Sequence, residues 1–297
     1  MISTRRNLTR PVRFLPPDSG RVPVSRTGLN RAQTVMDGDC WINGFGLRSF
    51  GSQGCDLEVG FRGQARPALV TQVLKCCARA NAGTAMSDAD AWNLSVSRRT
   101  ECLIAIATSG GRTDVVLPAT CSAAECGQPM EVTVSLTELV ELQRNAERTD
   151  PLVVQNGGAS LQLRRPTGRD QAAWLDDQHA DETEAFRAMI RSLLVPEAGH
   201  ETSVSDELVT AADRLLAEGD PLVNFNLAVK CPHCGSQANY SFDLEALALQ
   251  ELQQSQTRLL RTVHRLASHY HWSEQQVLSV SPWRRDYYLA QIEREAP

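Results

Sequence analysis

The sequence predicts an α+β protein. It is read as two related strand–Cys knuckle–strand–helix units sharing a zinc-ribbon-like site, with a helical middle segment and a three-helix C-terminal tail. Three observations carry this. One short cysteine pattern is written twice, as Cys121-Ser-Ala-Ala-Glu-Cys126-Gly127 and Cys231-Pro-His-Cys234-Gly235. Aligning Cys126 on Cys234 also matches Val132 with Tyr240, Val134 with Phe242, Leu136 with Leu244 and Leu139 with Leu247. Finally, from Leu244 onward the apolar residues recur every three or four positions, the period of an amphipathic helix.

The segment 1–38 reads as a disordered basic arm, with Arg5, Arg6, Arg10 and Arg13 near its start. No apolar stretch follows those arginines, so no secretory leader is expected. Residues 39–60 are Gly-rich, with Trp41, Phe45, Leu47, Phe50 and Leu57 interspersed, and suggest short strands or an irregular platform. Residues 67–80 predict a helix with Leu69, Val73, Cys76 and Cys77 on one face, which makes those two cysteines core residues. A second helix is expected over 88–95, opened by Ser87. The β-branched run 102–108, a Gly110-Gly111 turn and residues 113–117 together predict a hairpin.

The first Cys pair leads into a strand over 130–136, with Thr137 as cap of a helix reaching about Arg144. Residues 151–160 read as a linker and 161–166 as a short strand. A helix is expected from about Gln171, with Trp174 and Leu175 early and Phe186, Met189, Ile190 and Leu193 late. The helix 206–218 ends at Gly219, with Asp220-Pro221 as breaker. Val223, Phe225, Leu227 and Val229 alternate as one face of a strand. The second Cys pair, a strand at 237–242 and Asp243 as N-cap complete the second copy.

The tail follows. The polar stretch 253–258 leaves two possibilities for the long rod: two helices, or one bridging solvent. Ser273 and Gln276 form a capping box, with Trp272 stapling onto Val277. Pro282 begins the last helix, which carries Trp283, Tyr287 and Ile292.

Two Cys pairs, each ending in Cys-Gly, supply four thiolates to one tetrahedral Zn2+: Cys121, Cys126, Cys231 and Cys234. Although 104 residues lie between Cys126 and Cys231, two similar units facing each other would close that gap. Unmetallated turns or disulfides are the other uses of the same four residues. His233 lies inside the second pair as a spare ligand. Nine cysteines and no leader argue against a full disulfide framework.

No phosphate-cradling Gly loop, nucleophile elbow or His-Glu-x-x-His is present, so no catalytic residue and no small-molecule substrate is assigned. His264, His269 and His271 read as surface or packing residues, and Asp176, Asp177, Asp181 and Glu182 as a solvated face. A net charge of −5 argues against nucleic acid as the partner. The alternative kept open is a zinc-dependent DNA-binding regulator using Arg258, Arg261, Arg265, Arg284 and Arg285. No apolar run is long enough to span a membrane.

Four features in order carry a family resemblance: Leu163-Arg-Arg-Pro-Thr-Gly-Arg-Asp-Gln171; Asp220-Pro-Leu-Val-Asn-Phe-Asn-Leu227 with the Cys231–Gly235 knuckle; Phe242-Asp243-Leu244 through Leu252; and the tail from Val263 to Leu289. Residues 161–294 thereby resemble the baseplate hub or hub-assembly (chaperone) family of T-even-type contractile phages and phage-tail-like contractile injection systems. The resemblance implies a non-enzymatic structural or assembly role in a tail baseplate, with other baseplate and hub proteins as partners. It implies assembly in the bacterial cytoplasm, followed by retention in the particle or departure as a chaperone. The domains then read as the arm 1–38, an N-terminal α+β unit 39–150 with the first Cys pair, and a baseplate-family-like region 151–297 with the second pair and the tail.

Overall fold

The structure is a computed structural model that describes residues 40–42, 44–80, 83–108, 114–147, 151–156, 159–177, 179–195 and 204–295. The expected basic arm and the Gly110-Gly111 turn lie outside the described residues.

The fold is mixed α+β with small antiparallel sheets. Strands β1 (Cys40–Ile42), β2 (Phe45–Leu47) and β3 (Ala78–Ala80) form a three-stranded sheet in that order. Between β2 and β3 lie a 3-10 turn (Gly54–Asp56) and helix α1 (Arg66–Cys77), whose buried face includes Leu69, Val73 and Cys77. Helix α2 (Asp88–Asn93) is capped by Ser87, whose hydroxyl accepts the Asp90 amide.

Helix α3 (Val96–Thr108) replaces the strand expected at 102–108. Almost all of it is buried, Leu103 and Ile106 included, with α1 against it. A run buried on every side shows no periodicity to separate helix from strand. Two of its hydroxyls are satisfied within the helix: Thr100 Oγ1 donates to Val96 O at 3.0 Å and Thr108 Oγ1 to Ile104 O at 2.8 Å.

Strands β4 (Asp114–Thr120) and β5 (Pro129–Ser135) form a hairpin followed by helix α4 (Leu136–Glu147). Its cap is Ser135, not Thr137. The Glu138 amide donates to Ser135 Oγ and the Ser135 amide to Glu138 Oε2, each at 3.1 Å. The segment 151–160, expected as linker, contributes instead to a second hairpin, β6 (Leu152–Asn156) with β7 (Ala159–Leu163). Leu152, Val154, Leu161 and Leu163 alternate inward and form a separate small core with Ile190, Leu193, Leu208 and Ala212. The helix expected from Gln171 is two: α5 (Gly168–Asp176) and α6 (Glu182–Leu193), the second capped by Asp181. Part of the acidic run therefore ends one helix and starts the next. Helix α7 (Asp206–Gly219) follows.

Strands β8 (Phe225–Lys230) and β9 (Gln237–Phe242) make the hairpin around the second Cys pair. Val223 stays outside it, exposed. Helix α8 (Leu244–Tyr270) is continuous, and α9 (Glu274–Ser279) and α10 (Pro282–Glu295) complete the tail. Val277, the staple position, is fully buried in a cluster that includes Trp272. The polar stretch of α8 does not face solvent throughout. Gln256 Nε2 donates to the carbonyls of Asp56 at 2.8 Å, Val59 at 2.9 Å and Leu57 at 3.3 Å.

The largest core draws Val73, Leu103, Leu117 and Leu139 together with Phe225, Phe242 and Leu252. Polar contacts around it join separate elements. Buried Asp220 accepts from Ser97 Oγ at 2.7 Å and Arg165 Nη1 at 2.5 Å, while Arg165 Nη2 donates to Ala146 O. The residue read as a helix breaker thus joins α3, α4, α7 and the segment after β7.

Candidate metal centre

The two Cys-bearing hairpins match position by position. Each ladder stops one residue before the first cysteine, at Thr120 and Lys230, and resumes three residues after the second, at Pro129 and Gln237. Each helix starts at the residue after its cap, Ser135 in one and Asp243 in the other. The turns share their hydrogen bonds. Cys121 N donates to Gln128 O at 2.9 Å as Cys231 N does to Ser236 O at 2.8 Å. Gly127 N donates to Ala123 O and Gly235 N to Cys231 O. Both glycines hold positive φ, 56° and 76°, the left-handed conformation that lets the chain turn back at little steric cost. The extra two residues of the first pair fit inside its turn without changing this frame.

The hairpins meet at their tips. Cys121, Cys126, Cys231 and Cys234 bring all four Sγ atoms within 4.8 Å of one another. Cys121 Sγ lies 3.7 Å from Cys234 Sγ and Cys126 Sγ 3.9 Å from Cys231 Sγ. Those separations are far beyond a covalent S–S bond, about 2.05 Å, and the four thiols are free. They suit a tetrahedron. Four sulfurs each about 2.3 Å from one zinc stand about 3.8 Å apart. The cluster can therefore hold a metal ion, and the protein supplies a complete set of four soft ligands.

Apolar contact closes the inner side, where Met130 and Val229 are buried with Cys121 and Cys231. Tyr240 ties the two hairpins independently of sulfur, its hydroxyl accepting the Ser122 amide at 3.1 Å. The Ser236 hydroxyl lies 3.0 Å from Cys234 Sγ and 3.4 Å from Cys121 Sγ. Its hydrogen bond holds the Cys234 thiol down, at about 6, and lowers Cys121 as well. Cys126 receives a lowering bond from the Gln128 backbone, but burial and the neighbouring thiols push it up to about 12. Four sulfurs at this spacing resist ionising together unless a cation balances them. Ser236 is the participant that the sequence reading missed; its place two residues after Cys234 is the signal that could have found it.

The other flagged residues do not join this centre. His233 is exposed and forms no part of the four-sulfur cluster. His271 lies beyond α8 in a left-handed conformation, φ 57°, so it does not continue the helical face of His264. His269 Nε2 sits 3.4 Å from Glu295 at the surface. Cys77 is core, as expected, whereas Cys76 is only partly buried and stands beside Cys55 and Asp56. No helix among the described residues is long and apolar enough to cross a membrane. Comparison of the chain with protein-family profiles, curated proteins and solved structures gave no significant match.

Proposed function

We propose that the protein is a non-enzymatic structural or assembly factor of a contractile-tail baseplate, stapled by one structural Zn2+ shared between two related hairpin units. The metal half of this reading rests on one observation, the four converging sulfurs at tetrahedral spacing. Four protein ligands leave no open coordination position for water or substrate, the arrangement of a structural rather than a catalytic zinc. The ion would join segments 114–135 and 225–242, stiffening a fold whose sheets, among the described residues, are two or three strands each.

The baseplate half rests on the order of sequence features across 161–294. The tail offers a surface suited to other subunits: Trp283 and Tyr287, one turn apart on α10, are 71% and 58% exposed. The DNA-binding alternative draws less support, because four of its five arginines are engaged. Arg258 bonds Glu251 and Ser255, Arg265 bonds Glu293, Arg284 bonds the Tyr288 hydroxyl, and buried Arg285 bonds Ser52 O.

The test is a native pull-down of tagged protein from its host under metal-retaining conditions, read by mass spectrometry, with metal content measured on the same sample. Recovery of hub, tube or sheath proteins with one zinc per chain is expected. Recovery of DNA or polymerase subunits instead would overturn the baseplate role, and bound iron in place of zinc would overturn the choice of metal.

A further inference from the structure

A second thiol cluster lies in the N-terminal unit. Cys55 Sγ, a carboxylate oxygen of Asp56 and Cys76 Sγ all stand within 4.8 Å of one another. Cys55 is exposed on the 3-10 turn, and Cys76, half-buried at the end of α1, donates to Cys55 O at 3.4 Å. This cluster is poorly suited to a cation. Arg48 forks onto Asp56 at 2.6 and 3.0 Å and reaches Cys55 Sγ at 3.0 Å, placing a positive charge among the would-be ligands. The amides of Gly51, Ser52 and Gln53 also donate to Asp56 Oδ2. The carboxylate is committed to organising the turn, which leaves two neighbouring sulfurs with no partner metal.

We propose that Cys55 and Cys76 form a reversible disulfide when the protein meets a peroxide. Cys55 is the accessible sulfur, and Arg48 donates a hydrogen bond to it. Its thiolate attacks one peroxide oxygen; the O–O bond breaks, hydroxide leaves and takes up a proton as water, and Cys55 becomes a sulfenic acid. Cys76 then gives up its proton and attacks the Cys55 sulfur; the S–O bond breaks and a second water leaves. Two thiols lose two electrons, and the peroxide takes them. Burial pushes the Cys76 thiol up to about 12, which keeps it protonated until that second step.

The consequence lies in what the turn supports. Gln256 of α8 docks on the carbonyls of Asp56, Leu57 and Val59, and Arg285 of α10 on Ser52 O. A disulfide would tie this bearing loop to α1, linking oxidation to the seating of the C-terminal helices.

The test treats zinc-loaded full-length protein with stoichiometric hydrogen peroxide and maps cross-links by non-reducing peptide mass spectrometry. Trypsin cuts after Lys75 and Arg79, leaving Cys76 and Cys77 on one peptide, so C76S and C77A are analysed beside the native chain. The expected result is a Cys55 cross-link in native protein and C77A, reversed by dithiothreitol, with zinc retained. C76S should lose the cross-link and instead trap dimedone on Cys55. Three outcomes would overturn the proposal: no Cys55 cross-link in native protein; a cross-link that survives in C76S, which would make Cys77 the partner; or a second metal equivalent that C55S removes.

Discussion

Gly127 and Gly235 each follow the second cysteine of a pair, and each holds positive φ. Space does not limit either site: a Cβ on Gly127 would meet nothing within 4 Å, and one on Gly235 only Lys230 Cε at 3.9 Å. The cost of substitution is therefore that of the left-handed backbone alone. G235A is expected to lose about 1–2 kcal/mol, with G235N losing less because Asn tolerates this region. Urea melts of the two variants check this, and equal losses would point away from the backbone. Glu245 supplies a second residue-scale prediction. It is buried, its Oε2 has no hydrogen-bond partner and Arg66 stands 3.7 Å from its other oxygen. Burial raises its carboxyl above the ordinary range, against the pull of Arg66 and Arg99. The folded state thus holds the proton more tightly than the unfolded one. Its contribution is full below the unfolded value and is lost as pH rises through the folded one. E245Q lacks that decline, so the difference, variant minus native, should move in the variant's favour as pH rises above the ordinary glutamate value of about 4.3. Paired thermal melts measure it; a flat difference would sink it.

At the scale of elements, α8 owes its continuity through a polar stretch to what it meets. The side chain of Gln256 donates to three backbone carbonyls at the end of the 3-10 turn and in the loop after it. Q256L would leave those acceptors unpaired, and a loss of about 1–3 kcal/mol is expected, with faster amide exchange confined to the loop and to neighbouring turns of α8. A stability within error of native would mean that water replaces the amide without cost. Helix α3 tells the same story from the apolar side. Its β-branched residues are placed by the surrounding packing against their local preference. The β6–β7 hairpin, in contrast, was legible: Leu152 and Val154 alternate before Asn156-Gly157-Gly158, a turn sequence that the linker reading passed over. Caps were legible at Ser87, Asp243 and Ser273, where a short polar side chain stands three residues before an available amide, whereas the same spacing at Ser135 was passed over for Thr137.

At the scale of the molecule, the proposed zinc makes one cooperative prediction. Changing Cys126 or Cys234 to Ser removes one ligand from a single site, so metal should be lost and both hairpins, 114–135 and 225–242, should lose exchange protection together. A strong chelator should do the same to native protein. Loosening of only the altered hairpin would break the shared-site reading. Tyr240 and the buried Met130 and Val229 should leave some contact between the hairpins even without metal. The expected phenotype is therefore a loosened interface between the two units rather than complete unfolding.

The sequence by itself determined the four cysteines and their glycines, the matching positions of the strands and helices around them, the Asp243 cap and the start of the C-terminal helices. These features depend on residue type at short spacing, where a turn, a cap or a chelate closes within a few positions. The tertiary structure alone decided that the sulfurs of pairs more than a hundred residues apart converge, that the run at 102–108 is helical, and that Asp220 and Gln256 hold separate segments together. Those outcomes depend on which surfaces meet, and burial on all sides erases the periodicity from which a local reading starts.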